Sequence, residues 1–304
     1  MDVNILRYIL ICNSITIGSL SLLIIYMKPY LPNALIRFFL FGKINIKANA
    51  NYPIITKIEM PKKYFGQAYP ITGTIMIILF YLALNKYFYN GNIPESLLLL
   101  LDILLGASRK PLVSAESTIL AIVLFSIHCW KRAYETYYVC VFSNQKINVF
   151  HYILTFLHYS MLMLSLIGES EGFVGGSRTS IFLHKLTNMQ LICAFIFLWS
   201  TYMQLRTNFV LAGLRKNQHG DVISKEHKIP VGELFNYISN PLQFTEILLY
   251  LTLSAILWQA STFHYITIFV IVNQVACAIF SDQWYRNTFK NYPKKRKILI
   301  PYIW

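Results

Sequence analysis

Charge is scarce in this chain, and acidic charge is scarcer still. Only 13% of its 304 residues are charged, about half of what soluble globular chains carry. Polar residues are too few to cover a water-facing surface, which excludes an ordinary soluble protein. Thirteen acids stand against 27 lysines and arginines, a net charge of +14. Such a balance suits anionic lipid, a phosphorylated ligand or nucleic acid. With 56% hydrophobic residues, a nucleic-acid-binding module is improbable, and no such partner is expected. The five cysteines, Cys12, Cys129, Cys140, Cys193 and Cys277, form no Cys-x-x-Cys pair and read as small core thiols. No Asn-x-Ser/Thr sequon marks a glycosylated lumenal domain. Glycine-rich dinucleotide and phosphate loops, a zinc-protease helix and a nucleophile elbow are all missing, so no metal is expected. The glycines of Gly172–Gly176 have the wrong spacing for a phosphate loop.

Long apolar runs fill the space these absences leave. A run of roughly 20 apolar residues with few charges is long enough to cross a bilayer. Tyr8–Met27, Ile147–Gly168 and Leu186–Leu205 carry no charge, while Pro70–Tyr89 and Pro111–Trp130 carry one each, Lys86 and Glu116. Ile247–Ser281 is charge-free for 35 residues, about 52 Å as one helix. That is too long for one crossing, and Gln259, Ser261, Thr262 and His264 offer a place to fold it in two. The expected architecture is all-α and integral to the membrane, one domain over 1–304. Its seven transmembrane helices lie near 8–27, 70–89, 111–130, 147–168, 186–205, 244–260 and 263–283, with basic cytosolic loops. The stretch 93–105 is short and contains Asp102, which reads as interfacial or re-entrant. The first span lacks a following cleavage site and is not expected to be a signal peptide.

Basic residues orient this arrangement. Segments 28–69, 131–146, 206–246 and 282–304 share one side and hold 7, 3, 5 and 6 lysines and arginines, 21 of the 27. By the positive-inside rule that side is cytosolic, with the N-terminus lumenal or external.

Ionisable groups at membrane depth are costly and point to function. His128, Arg132 and Glu135 share a face at the cytosolic end of the third span, and Arg132 and Glu135 can pair. Taken alone, these residues more readily suit a snorkelling basic collar with a structural ion pair. Gln274, Ser281 and Tyr285, with Asp282 beside them, line the last span, as a ligand wall or as a helix-packing seam. Glu246 opens the sixth span, where an acid also suits a helix N-terminus. In the loop 206–246, Arg206, Arg215 and Lys216 make a phosphate-sized basic patch. Pro230 and Gly232 turn the chain into a short amphipathic piece bearing Leu234, Phe235 and Ile238. The run Tyr292–Lys297 also suits a basic lipid-surface anchor.

Taken in order, Leu214-Arg-Lys216, Ile229-Pro-Val-Gly232, Leu234-Phe-Asn-Tyr237, Glu246, Gln283-Trp-Tyr285 and Tyr292–Lys297 with Pro301 resemble the C-terminal half of the steroid 5α-reductase family. Lys131-Arg-Ala-Tyr-Glu135, Val141-Phe-Ser-Asn144 and Pro61-Lys-Lys-Tyr-Phe65 are more similar to its polyprenol reductase branch than to its steroid branch. The resemblance covers about 60–304, with the reductase-like part at 186–304. It implies a seven-helix endoplasmic-reticulum protein that binds NADPH from the cytosol and acts on a long-chain polyprenoid lipid, saturating its α-isoprene unit on the route to dolichol for N-glycosylation. It also implies Tyr285, Glu246 and Asp282 as catalytic residues. Arg132, Arg215, Lys216, His227 and Asn208 would hold the cofactor. The chain departs from the branch at Asp282 and Gln67, where histidine is common, and at Leu242, where Asn or His is usual. Cys129 replaces the tyrosine that holds the ketone in steroid reductases, against a steroid substrate.

Hydride can reach an alkene carbon only if the developing charge has a sink. An allylic alcohol has none, whereas an α,β-unsaturated aldehyde forms an enolate, so the aldehyde is the expected substrate. Hydride would go to the β-carbon and a proton to the α-carbon, with Tyr285 or a protonated acid donating to the oxygen. A seven-helix receptor shares the span count, and a lipid-binding relative without catalysis would keep the fold. The charge asymmetry generates a direct test: a tag placed after Trp304 is digested by protease added outside sealed microsomes, and protection of that tag would overturn the orientation.

Overall fold

The chain is described by a computed structural model over residues 2–40, 57–143, 146–177 and 186–304. Lys43, Lys47, Arg178 and Lys185 of the basic asymmetry, and Asn144 of the Val141–Asn144 motif, lie outside these residues. Nine α-helices occur among the described residues. They are α1 (Ile5–Met27), α2 (Asn33–Phe39), α3 (Ala68–Tyr89), α4 (Glu95–Leu105), α5 (Ala115–Tyr134), α6 (Val149–Ile167), α7 (Asn188–Gly213), α8 (Pro241–Ile256) and α9 (Phe263–Thr288). Two short strands, β1 (Glu59–Pro61) and β2 (Lys146–Asn148), pair antiparallel with Met60 opposite Ile147.

Helix ends are set by capping residues that satisfy otherwise orphaned N–H groups. Asn4, Ser114 and Asn148 cap α1, α5 and α6. Thr187 and Gln190 form a reciprocal capping box on α7. Pro241 opens α8, where its missing N–H costs nothing. Two expected boundaries move for local reasons. The N–H groups of Leu112 and Val113 bond to the Glu169 carbonyl, so the segment expected from 111 becomes helical only at Ala115. The helix expected to end at 205 continues to Gly213, because Arg206–Gly213 keeps a helical pattern into the loop. The long apolar run breaks between Ile256 and Phe263, over the polar Gln259–Thr262 patch.

Four segments, Ile5–Tyr30, Lys62–Tyr89, Val149–Ile167 and Phe263–Thr288, are long and apolar enough to cross a membrane by length and composition. Helix α8 is apolar but has 16 residues. Polar residues interrupt α5 at Glu116, Lys131 and Arg132, and α7 at Gln190, Gln204, Arg206 and Asn208. Helix α4 has 11 residues, about 16 Å, too short for a crossing. The core gathers Met76, Phe125, Leu162, Phe197, Leu253 and Phe263 from six helices. At Gly73, a Cβ would lie 3.0 Å from the Trp130 indole nitrogen, so glycine is what lets α3 approach α5. Outward faces stay apolar, with Ile15, Ile77, Ile78, Leu191 and Phe195 exposed. Several apolar helices with such faces mark a multi-pass membrane protein.

The bundle has two unlike ends. At one, the Glu169 carboxylate accepts from Ser261 Oγ (2.6 Å) and the Thr262 N–H (2.8 Å), and Arg7 donates to Ser261 Oγ. The buried Arg109 guanidinium donates to the carbonyls of Gly168 and Phe173, both at 2.6 Å, and pairs with Asp102 at 2.9 Å. Residues 59–67, 131–143, 204–246 and 280–304 gather at the opposite end. The closed end yields a stability prediction. Arg109→Ala strands two buried carbonyls at about 1–3 kcal/mol each, and the melting temperature in detergent should fall measurably; an unchanged transition would show that this link does not hold the end together.

Candidate active site

Three of the site's helices, α5, α7 and α8, have short or interrupted apolar runs. Near the end of α5 the Glu135 carboxyl group is fully buried. Arg132 Nη1 reaches Glu135 Oε2 at 2.5 Å and Lys131 Nζ reaches Oε1 at 3.3 Å. From there α5 continues as one turn of π-helix, Glu135–Val139, closed by Cys140 N–H to Glu135 O at 2.7 Å; such turns are frequent at functional sites. Arg132 also donates to the Tyr69 hydroxyl at 3.0 Å, with its guanidinium 4.8 Å from that ring's centroid. Lys131 donates to Gln204 Oε1, and Gln204 Nε2 donates to Glu246 Oε2 at 2.7 Å. Arg132 and Glu246 thus join one polar chain across α3, α5, α7 and α8. Asn208, one turn beyond Gln204, is buried, and its Nδ2 has no hydrogen-bond partner among the described residues.

A second group lies at the mouth. Arg215 donates to the carbonyls of Val141 and Glu226 and meets His227 Nδ1 at 3.1 Å. Its partners are neutral, and among the described residues no carboxylate forms an ion pair with it. Burial is the main influence on this guanidinium and holds its pKa below the ordinary value, with Tyr285 and Cys140 acting in the opposite sense. Lys62 is a second cation close enough to repel it. The His227 ring meets Trp284 edge-on at 5.1 Å, and Trp284 meets Tyr285 at the same distance. Tyr285 stacks on Tyr292 at 5.3 Å. Lys216 occupies the adjoining turn, its N–H bonded to the Ala212 carbonyl.

Asp282 belongs to a clamp beneath this mouth. Its carboxylate accepts from Ser239 Oγ and from Arg286 Nε, both at 2.6 Å. Tyr292 OH donates to Ser239 Oγ at 2.8 Å, and Asn240 Nδ2 bonds the carbonyls of Ala278 and Ile298. The chain after α9 is thereby docked along Tyr237–Ser239. Within the basic run, Arg296 turns inward rather than toward a lipid surface: it is buried, lies over Tyr292 and donates to the Pro230 carbonyl. Arg206 also leaves the expected basic patch, because Glu233 engages it at 2.5 Å. Gln67 Oε1 accepts from Tyr152 OH at 2.8 Å. Sequence reasoning passed over Tyr69, Gln204 and Lys62; for Gln204, the signal was an uncharged amide inside an apolar run. Among the described residues, no group of three or more His, Cys, Asp or Glu side chains is placed to hold a metal ion.

Residues 171–304 match the 3-oxo-5-alpha-steroid 4-dehydrogenase family. A polyprenal reductase of Drosophila melanogaster is 32% identical over 286 residues, covering 92% of this chain and 87% of that protein. The chain belongs to the steroid 5α-reductase family. Membership makes it an oxidoreductase and leaves a seven-helix receptor without support. Polyprenal reductases of Caenorhabditis elegans and Homo sapiens are 31% and 28% identical, covering 82% and 86% of this chain and 81% and 84% of theirs. Within this reductase, the arrangement links Arg132 to Glu246 through Glu135, Lys131 and Gln204, and brings Arg215 to His227 with Tyr285 near by.

The clamp gives the departure at Asp282 a testable consequence. Asp282→Ala removes the acceptor of Ser239 and the partner of Arg286, at about 1–3 kcal/mol. Amide hydrogen exchange over 292–304 should quicken in this variant. Exchange at the native rate would mean that the tail docks without the carboxylate.

Proposed function

We propose that this reductase saturates the α-isoprene double bond of polyprenal with NADPH, on the route to dolichol for protein N-glycosylation. The relatives named polyprenal reductase support the lipid class. One observation carries the cofactor: among the described residues the partly buried Arg215 has neutral partners and no carboxylate, with Lys62 near it. An uncompensated guanidinium in such a place is costly unless an anion meets it, and a phosphate is the anion its planar fork fits. The orphaned amide of buried Asn208 fits a polar ligand as well. In this reading Arg215 and Lys216 take phosphates, His227 steadies Arg215, and Asn208 and Arg132 line the inner part of the site.

The same reading takes seven helices, α1, α3 and α5–α9, across the endoplasmic-reticulum membrane, with the N-terminus lumenal and the basic end cytosolic. The uneven basic count and the gathering of those segments at one end of the bundle support it.

When bound, the nicotinamide supplies the hydride for the β-carbon. The chain does the remaining work. Trp284, Tyr285, Phe289 and Tyr292 form a packed aromatic wall that keeps water from the mouth, which strengthens every electrostatic contact inside. Gln204 and Lys131 hold Glu246 in place. Asp282, already accepting two hydrogen bonds, positions the wall by docking the chain beneath Tyr285.

In detergent, the purified native chain should oxidise NADPH when polyprenal is supplied. Losing a charged contact to phosphate costs about 1.5–3 kcal/mol, so Arg215→Ala should raise the KM for NADPH roughly 10–100-fold and leave the KM for polyprenal near its native value. Folded protein that binds polyprenal but oxidises no NADPH would refute the enzyme reading, and an unchanged KM in Arg215→Ala would refute the role of that arginine.

A further inference from the structure

Hydroxyl groups in apolar helices usually bond the carbonyl one turn earlier, because hydrocarbon offers no other acceptor. Ser126, Thr155, Thr207 and Thr252 all do so here. Ser200 and Thr201 of α7 do not. They are 0% and 6% exposed, and neither hydroxyl has a hydrogen-bond partner among the described residues. On α5, His128 is 2% exposed and its Nδ1 is equally unpartnered. Its ring stacks on Phe125 at 5.8 Å and meets Phe197 edge-on at 6.2 Å. Phe197 precedes Thr201 by one turn of α7, so the three orphaned groups border one contact between α5 and α7.

Buried polar groups without partners are rare in native proteins and ask for an explanation. Inside a membrane water does not supply one. We propose that His128 donates a hydrogen bond to the carbonyl oxygen of the lipid aldehyde, with Ser200 and Thr201 lining the same recess. This rests on the polyprenal reading and adds to it the group that holds the reacting end. Glu246 and Asp282 already accept hydrogen bonds from the chain, whereas a neutral imidazole carries one N–H to give. Phe125 and Phe197 fix the plane of the ring, so little reorganisation is needed when charge develops on the oxygen. The position also suits a lipid: His128 lies one turn deeper in the bundle than Arg132, on the apolar side of the ionic cluster.

The test uses purified full chain in detergent, with polyprenal labelled with carbon-13 at the aldehyde carbon. Without a hydride donor, the infrared carbonyl stretch of the bound aldehyde should lie below its value in detergent alone. His128→Phe should return it to that value. With NADPH present, kcat in His128→Phe should fall on the order of 10²–10³-fold. Its melting temperature should not fall, since an unpartnered polar group has left an apolar site. His128→Gln, which keeps an N–H donor, should be intermediate in both readouts, and serves alone if the phenylalanine variant does not fold. Native kcat and KM in His128→Phe would overturn the proposal, and so would a lower rate with the bound carbonyl stretch unchanged. A native chain that shifts the stretch through His128 but oxidises no NADPH would leave the contact standing and refute the reduction instead.

Discussion

The buried carboxylate of Glu135 is the constraint on which the site depends. A carboxylate with no solvent exposure requires compensation, and Lys131 and Arg132 supply it from the same helix end. Neither cation is spent on that pair alone. Arg132 continues to Tyr69 on α3, and Lys131 continues through Gln204 on α7 to Glu246 on α8. One acid therefore fixes the relative depth of four helices. Removing it would leave two largely buried cations side by side, a loss of about 3–5 kcal/mol at most by comparison with broken buried pairs. The π-turn that follows carries the chain from Glu135 to the Val141 carbonyl, which receives Arg215. The ionic cluster and the mouth are thus connected through a short piece of backbone.

The helices divide their labour by polarity. Those long and apolar enough to cross a membrane, such as α1, α3 and α9, supply much of the outward surface. The polar groups lie on α5 and α7, where they interrupt the apolar pattern, and at the start of α8. In water such groups would be ordinary; inside an apolar bundle each is expensive. That expense explains why most of them are paired, and why those left unpaired are informative.

Much of the architecture was legible because the apolar runs are long and the turn residues local. The break near Gln259–Thr262 needed only the arithmetic of helix rise against bilayer thickness, and Arg132 with Glu135 needed only helical spacing. Other features were not legible, since they depend on which segments meet. The pairing of Arg206 with Glu233 spans 27 residues, so a basic patch inferred from neighbours in sequence lost one of its members. Arg296 looked like part of a lipid-facing basic run. Its inward turn depends on Pro230, 66 residues away, which no local pattern reveals. Gln204 gave only a faint signal, because a single amide in an apolar helix carries no motif.

Asp282 shows how a carboxylate is accommodated where the family resemblance leads one to expect histidine. A histidine there could donate a hydrogen bond, whereas the carboxylate only accepts. Arg286, one turn further along α9, brings the compensating charge, and Ser239 brings a hydroxyl. Those two partners turn the carboxylate downward, into the docking of the chain end against Tyr237–Ser239. The charge is thereby neutralised within its own helix. The aromatic wall above, Trp284 and Tyr285, keeps its packing because Tyr292 is tied to Ser239 by the same network. In physical terms the side chain at this position serves as an anchor rather than a donor.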